Sequence, residues 1–514
     1  MEYNYICNIT KGGDNNKNTL NYGNLSPQNH IYQSFCVDFF SIILMVFIIK
    51  KMIDKKNFRH KLLSLVIPIT LQQLMMALVS FSDAIMMGFL NQDSLSAVSL
   101  AGQIQFVFSL FVFSVTSGVS ILAAQYFGKG DTNAVEKILG IGMGIIAPIS
   151  LIFTAAAFFF PETLMKFFTS DSTLIELGAR YLKTVSLSYL LQGISQIYLC
   201  IMKNCGHAGK SSLISSVSVV LNILINWLLI FGVGFFPRME IAGAALATVI
   251  AKAAELAWTV IIMLRKDSVR LRFGFIIHPD KVLRSDYLKY AMPVLGNNLV
   301  WGIGFSMYTV ILGHMGTDAA AANSIANIIK NLAICVCEGV SSATGVLVGM
   351  LLGMGKLDEA KEYGSRLCRV SLICGAASGA IVLCVIPFIP MFTTISAEAQ
   401  SYLRVMLVVS SYYVIGKAMN MTVISGIFPA GGDSKFGFKC DTITMWCVTV
   451  PIGLISAFIL RLPAATVYVL INIDEIVKLP AVYRHYKKYL WLNNLTKSEE
   501  PSADICSKEV AVCR

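Results

Sequence analysis

The chain is dominated by long apolar runs separated by short polar loops. A helix needs about 20 residues to cross a hydrocarbon core about 30 Å thick. Twelve runs reach that length, the first over residues 62–84 and the last over residues 464–482. Several contain Gly, Pro, Ser or Asn, which bundled membrane helices tolerate because their neighbours satisfy the backbone. The pattern predicts an all-α integral membrane protein with twelve transmembrane helices.

The first 54 residues do not fit this pattern. Residues 1–34 are polar and rich in Asn, and residues 35–49 form a short, interrupted apolar run. The segment lacks the cleavage site of a signal peptide. We expect residues 1–54 to be a polar N-terminal extension that the bundle does not need, or the product of a start assigned upstream of Met52.

The composition is typical of a membrane protein. Charged residues make up 14% of the 514 residues, hydrophobic residues make up 55%, and the mean hydropathy is +0.67. A soluble domain has about 25% charged residues. An ordinary cytosolic enzyme and a disordered chain are therefore both excluded.

The net charge of +11 follows the membrane topology. Lys and Arg concentrate in alternate loops, and cytoplasmic loops carry this excess in membrane proteins. The opposite loops offer few cations: Lys166, Arg180, Arg238, Arg404 and Arg461. This asymmetry places both ends of the bundle in the cytoplasm, and we expect no nucleic-acid partner.

The chain contains an internal parallel repeat. A shift of 225 positions aligns five pairs without a gap: Pro68 with Pro293, Gly88 with Gly313, Ser99 with Ser324, Gly128 with Gly353, and Gly130 with Gly355. Twelve helices thus become two six-helix lobes. We expect a first lobe at 55–264, a basic cytoplasmic linker at 265–285, a second lobe at 286–485 and a cytoplasmic tail at 486–514.

Motifs along these runs add a family resemblance, which covers residues 55–496. They are FSDAIMMG, AAQYFGKG, IMKNCGHAGKSS, LNILINWLLIFG, GAALATVIA, SSATGVLVGMLLGMG, NIDEIVK and YLWLNNLT. In order and spacing they resemble the multidrug and toxic compound extrusion (MATE) family. The resemblance implies a secondary antiporter that exports cationic or amphipathic drugs and toxic compounds in exchange for Na⁺ or H⁺ by alternating access. It further implies a bacterial cytoplasmic membrane, no cofactor besides the coupling ion, and no enzyme activity, and we expect a monomer.

Asp83 is the first candidate for ion coupling, because an intramembrane carboxylate is costly and is a functional candidate by default. In Na⁺-coupled family members an Asp of the first helix, an Asn and an Asp four apart on the fifth, and an Ala carbonyl with a Thr on the sixth form a cation site. The resemblance therefore implies a site at Asp83, Asn222, Asn226, Ala244 and Thr248.

This site departs from the family at Asn226, where the pattern has Asp. With Asp83 as the only anion, a bound Na⁺ would give a neutral site, completed by oxygens of Asn222, Asn226 and Thr248. A proton on Asp83 would neutralise the site equally well. Loss of the second carboxylate could also leave this lobe poorly coupled.

Two other acids within the runs are candidates. Glu338 could attract a cationic substrate, couple a proton, or pair with Lys330 about two helical turns earlier. Glu255 lies three residues after Lys252, so an ion pair within the helix competes with a site role.

Other residues have weaker signals. Tyr308 and Met87 could line a polyspecific cavity, although packing and lipid contact are commoner roles for such residues. Asp441, Asp474 and Glu475 lie near predicted helix ends, where solvation at the membrane interface would explain them.

Two competing functions remain. A lipid-linked oligosaccharide flippase of the same superfamily would share the lobes but would line its cavity with Arg or Lys, and few such cations lie within the runs. A membrane-embedded enzyme or sensor would need clustered catalytic acids or a soluble domain. The segment AGKSS at 208–212 has Asn204 where a phosphate-binding loop needs Gly, and the six histidines lack metal-ligand spacing. ATP hydrolysis and a metal enzyme are therefore not expected.

Overall fold

The structure, a computed structural model, describes residues 56–90, 92–234, 236–265, 269–388 and 396–496. Within these ranges the chain forms helices, turns and short loops and contains no β-strand. The expected extension at 1–54 lies outside the described residues, as do residues 497–514 of the expected tail.

Eleven helices of the described chain, α1 to α11, are long and apolar enough to cross a membrane. In order they are Lys56–Gly88, Gln92–Lys129, Thr132–Phe159, Ser172–Asn204, Ala208–Phe231, Glu240–Met263, Lys281–Gly313, Thr317–Gly353, Leu357–Val385, Ala397–Ala430 and Ser434–Ile459. Short helices at Pro161–Lys166 and Phe273–Ile277 lie between them. Wider π-helical turns interrupt α10 at Met421–Ile427 and α11 at Ile443–Thr449 and Ile455–Ile459.

The twelfth predicted helix is broken. Helix α12 (Ala464–Ile471) is followed by α13 (Asp474–Val477) and α14 (Leu479–Tyr486). The side-chain amide of Asn472 donates to the Tyr468 carbonyl at 2.8 Å, which satisfies a group in the last turn of α12. One helix was expected over residues 464–482, and three short helices occupy this region instead.

The internal repeat appears in the helix bounds. Helices α7, α8 and α9 begin 225 residues after α1, α2 and α3 respectively. Helices α2 and α8 each end within two residues of a glycine with positive φ, 87° at Gly130 and 74° at Gly355. Glycine adopts this backbone conformation without a Cβ clash. After the first of these glycines, Asp131 caps α3 by accepting from the backbone N–H of Ala134 at 2.9 Å.

The two lobes pack together at the end of the molecule where α2 and α8 finish, which we call the closed end. Helix α1 lies against α8, and α2 lies against both α7 and α8. A Cβ added at Gly128 would lie 2.2 Å from the Met350 carbonyl oxygen, and one at Gly353 would lie 1.9 Å from the Gln125 carbonyl oxygen. Only glycine permits so close an approach of the two helix ends.

Residues 489–496, which we call the C-terminal strap, complete the closed end. Gln125 of α2 is fully buried there. Its Nε2 donates to the carbonyls of Ala430 at 2.6 Å and Asn493 at 3.2 Å, and its Oε1 accepts from the Leu495 backbone N–H at 2.6 Å. Trp491 is buried against α8, α9 and α10, whereas Leu495 packs on the apolar core of the first lobe. The strap thus contacts both lobes.

Large apolar side chains remain exposed on many helices, for example Ile152 on α3, Leu224 on α5 and Leu372 on α9. A soluble monomer rarely exposes extended apolar surface to water. Lipid contact accounts for this exposure in a multi-pass membrane protein.

Candidate functional site

Three helices of the first lobe bring the predicted cation-site residues together. Asp83 comes from α1, Asn222 and Asn226 from α5, and Ala244 and Thr248 from α6. Residues four apart on a helix share a face, so each of the last two helices presents a pair of side chains to the same place.

A continuous chain of hydrogen bonds joins the five residues. Asn226 Nδ2 donates to Asp83 Oδ1 at 2.6 Å and to Asn222 Oδ1 at 3.2 Å. Asn222 Nδ2 donates to Thr248 Oγ1 at 3.3 Å, and the Thr248 hydroxyl donates to the Ala244 carbonyl at 3.1 Å. The set contains one carboxylate together with amide, hydroxyl and carbonyl oxygens, which are hard ligands suited to Na⁺.

Asn226 has an uneven set of contacts. Its Nδ2 has two acceptors, whereas its Oδ1 is buried and has no hydrogen-bond partner among the described residues. A buried acceptor without a donor costs about 1–3 kcal/mol. This oxygen can therefore accept a hydrogen bond or coordinate a cation beside Asp83.

Met87 lies one turn after Asp83 and belongs to the packing around the site. It is fully buried in a cluster with Ile230, Ile241 and Ala244. The expected cavity-lining role of Met87 remains a hypothesis, since its observed contacts hold α1 against α5 and α6.

Glu255 on α6 is held by an ion pair and polar contacts. Its carboxylate lies 2.8 Å from Lys252 Nζ and accepts from Ser195 Oγ at 3.1 Å and Gln196 Nε2 at 2.9 Å. Of the two sequence-based alternatives, the geometry shows the intrahelical ion pair, and the hydrogen bonds from Ser195 and Gln196 tie α6 to α4.

The second-lobe candidates, Glu338 and Tyr308, lie in different surroundings. Glu338 of α8 accepts from Gln73 Nε2 of α1 at 2.5 Å, across the lobe boundary. The predicted alternative of a Glu338 pair with Lys330 is wrong, because no carboxylate of the described chain lies within 4.0 Å of Lys330 Nζ. Tyr308 of α7 is buried in the second-lobe core, and its hydroxyl has no hydrogen-bond partner in the described part of the chain.

Asp441, Asp474 and Glu475 are buried inside the protein, so the expectation that solvation at the membrane interface explains them is wrong. Lys478 Nζ lies 2.8 Å from Asp441, 3.1 Å from Glu475 and 4.0 Å from Asp474, and Lys417 Nζ lies 3.1 Å from Glu475. These five residues form the second-lobe charge cluster. The break after α12 brings the acids of α13 inward, toward cations that neutralise them.

Comparison with known proteins identifies the chain. A family model described as MatE matches residues 68–228 and 293–455, which together exceed half of the sequence. The chain belongs to the MATE family. Its two matched segments begin 225 residues apart, at the same spacing as the internal repeat.

Relatives and solved structures agree with this membership. An uncharacterized transporter of Bacillus subtilis, YisQ, is 23% identical over 86% of this chain and 97% of its own length. A probable multidrug resistance protein of Agrobacterium fabrum, NorM, is 24% identical over 77% of this chain and 86% of its own length. The structure of a MOP superfamily transporter from Pyrococcus furiosus is 17% identical, with a TM-score of 0.76 over 84% of this chain and 95% of that one. The fold is the two-lobed, twelve-helix MATE fold.

Sequence reasoning missed part of the polar interior of this MATE transporter. Asn420 donates to the backbone carbonyl of Glu475 at 2.7 Å and to its carboxylate at 2.8 Å, and Lys417 and Lys478 complete the contacts of that acid. One signal was available, because Lys478 follows Asp474 by four positions and Glu475 by three. Those spacings place a cation beside both acids on a helical face.

Proposed function

We propose that this MATE transporter is a secondary active antiporter that exports cationic or amphipathic compounds in exchange for Na⁺ or H⁺ by alternating access of its two lobes. The observation that carries the proposal is the hydrogen-bonded chain from Asp83 through Asn226 and Asn222 to Thr248. It puts a single carboxylate among neutral oxygen ligands inside one lobe, and such a site gains most from one positive charge.

The amide of Asn226 would respond to the ion. In the geometry shown, its N–H groups face Asp83 and Asn222, which suits an ionised carboxylate. A rotation of this amide would bring Oδ1 toward Asp83 in place of Nδ2. The oxygen could then share Na⁺ with the carboxylate, or accept a hydrogen bond from Asp83 when that residue carries the proton.

The closed end would be the cytoplasmic end. The charge asymmetry of the loops assigns it to the cytoplasm, and Asp83 lies near the opposite end of α1. The lobes would then open in turn to the two sides, as in transporters built from parallel repeats. We place the protein in a bacterial cytoplasmic membrane, with both ends of the bundle in the cytoplasm, and propose that it acts as a monomer.

The test is dye export from a pump-deficient bacterium or from proteoliposomes, driven by a Na⁺ jump at constant pH or by a pH jump without Na⁺. Asp83→Asn should abolish ion-driven export while the amount of inserted protein stays the same, because the only anion of the site is lost. Asp93→Asn is the matched control, since Asp93 is exposed at the start of α2. Full ion-driven export by Asp83→Asn would remove this site from the mechanism, and the jump that drives the wild type identifies the ion.

A further inference from the structure

Lys330 is a buried cation with no polar partner among the residues that the structure describes. It lies on α8 inside the second lobe, with 3% of its surface exposed. Three aromatic rings surround its Nζ, those of Tyr413 at 4.9 Å, Phe305 at 5.5 Å and Tyr468 at 5.9 Å. Across the described ranges, no acceptor forms a hydrogen bond with this ammonium and no carboxylate oxygen lies within 4.0 Å of it.

This arrangement differs from that of Lys417 and Lys478, the two lysines of the second-lobe charge cluster. Lys478 contacts Asp441 and Glu475, and Lys417 contacts Glu475 while resting over the Trp301 ring at 4.9 Å. Ring faces attract a cation, but they do not replace the hydrogen bonds that an ammonium loses on leaving water. The N–H groups of Lys330 therefore have no acceptor among the described residues, and burial makes this loss of hydrogen bonds costly.

The surroundings of Lys330 suit an aromatic ligand. Trp301 and Phe305 are stacked on α7 with ring centroids 5.5 Å apart and planes 14° apart, and both are only partly buried. Phe305 also contacts Lys330. An apolar body could lie on these rings while an acidic group reached the ammonium.

We propose that Lys330 binds the carboxylate of an amphipathic, aromatic compound that the transporter exports. The proposal rests on the proposed function, and it adds a substrate class to the cationic compounds considered above. The ammonium would donate charge-assisted hydrogen bonds to the carboxylate, and the rings of Trp301, Phe305 and Tyr413 would hold the rest of the molecule.

The charges nearby favour a monoanionic group over a polyanion such as a pyrophosphate. Lys417 and Lys478 are already paired with acids, so among these three lysines only Lys330 has no carboxylate of the described residues within ion-pair distance. Asp474 and Glu475 lie near enough to act electrostatically on Lys330, and Asp474 Oδ1 is buried without a hydrogen-bond partner among described residues. These carboxylates would repel a second negative charge on the ligand.

The test is equilibrium binding to the purified protein in nanodiscs, without an ion gradient. The probes are a rhodamine with a free benzoate and the methyl ester of the same rhodamine, which differ by one carboxylate. Fluorescence anisotropy should show the acid binding about tenfold more tightly than the ester, the effect of about one charge-assisted hydrogen bond. Lys330→Met should remove this preference, and Lys330→Arg should keep it.

Lys183→Met is the matched control. Lys183 also lies over an aromatic ring, 5.6 Å from the centroid of Phe158, but it is exposed. The acid-to-ester preference should survive in this variant. A second measurement needs no variant: benzoate should displace the acid dye from the wild type, and benzyl alcohol at the same concentration should not.

Equal binding of the two dyes by the wild type, or an unchanged preference in Lys330→Met, would overturn the proposal. The outcome is separable from the proposed function. A preference for the acid that depends on Lys330 supports this site even where no ion gradient drives export, and failed export with intact binding counts only against the antiport mechanism.

Discussion

Under the proposed alternating access, the buried amide of Gln125 should favour the closed arrangement of the two lobes over the open one. Gln125→Met keeps the length and bulk of the side chain but removes both polar atoms. It deletes three hydrogen bonds, two accepted by the carbonyls of Ala430 and Asn493 and one donated by the Leu495 N–H. Gln125 and Ala430 are buried, whereas Asn493 is exposed and can turn to water.

The expected magnitude follows from these contacts. A hydrogen bond contributes about 0.5–1.5 kcal/mol net, and a buried group left without its partner costs about 1–3 kcal/mol. Two buried contacts and one exposed contact give a loss of about 3 kcal/mol for the closed end, which is about a hundredfold in the ratio of closed to open molecules.

Spin labels measure this ratio directly. Lys210 lies in the first turn of α5 in the first lobe and Asp358 in the first turn of α9 in the second, and both are exposed beside the closed end. Pulsed electron paramagnetic resonance between labels at these two positions should show one short distance in the parent protein. In Gln125→Met, a longer distance should gain population at its expense.

The control comes from the same helix. Gln105 of α2 donates to Gln192 Oε1 at 3.1 Å, a contact within the first lobe. Gln105→Met should leave the distance distribution unchanged, because the contact it removes lies within the first lobe and does not join the two lobes. If Gln125→Met also left the distribution unchanged, the strap would not stabilise the closed end, and the estimate above would be refuted.

Two further predictions concern packing. Lys478→Met should lower the free energy of unfolding by about 3–5 kcal/mol, because it leaves the buried carboxylate of Asp441 unpaired. Thermal unfolding in detergent measures this change. Lys356→Met, which removes an exposed ion pair, should change the stability little. Gly353→Ala should disfavour the closed end, because its Cβ would lie 1.9 Å from the Gln125 carbonyl oxygen; an unchanged short distance between the spin labels would contradict this.

The first-lobe arrangement was predicted in two steps, and the first step is local. Asn222 with Asn226, and Ala244 with Thr248, are spaced by one helical turn, so each pair shares a face whatever the packing. The family resemblance then supplied which helices meet Asp83. The 225-residue repeat was predictable for a similar reason, since the local sequence of each half determines the helix lengths and the glycines at the helix ends.

The second-lobe charge cluster was not predictable from apolar runs. A hydropathy window counts residues 464–482 as one helix and treats Asp474 and Glu475 as acids near its end. The helix instead breaks at residues 472 and 473, and Lys417 approaches from α10. Both features depend on tertiary packing, which a hydropathy window does not include. Lys330 was visible in the sequence, but its position among aromatic rings, with no carboxylate of the described residues within 4.0 Å, is a property of the packed lobe.

The Gln125 contact has a consequence for how the chain is made. Its partners Ala430, Asn493 and Leu495 follow it by 305, 368 and 370 residues. The ribosome therefore delivers the first lobe to the membrane long before this amide can be satisfied by these protein partners. Translation that stopped before residue 491 would yield both lobes with two of these three hydrogen bonds missing, so assembly of this junction is a late event in biogenesis.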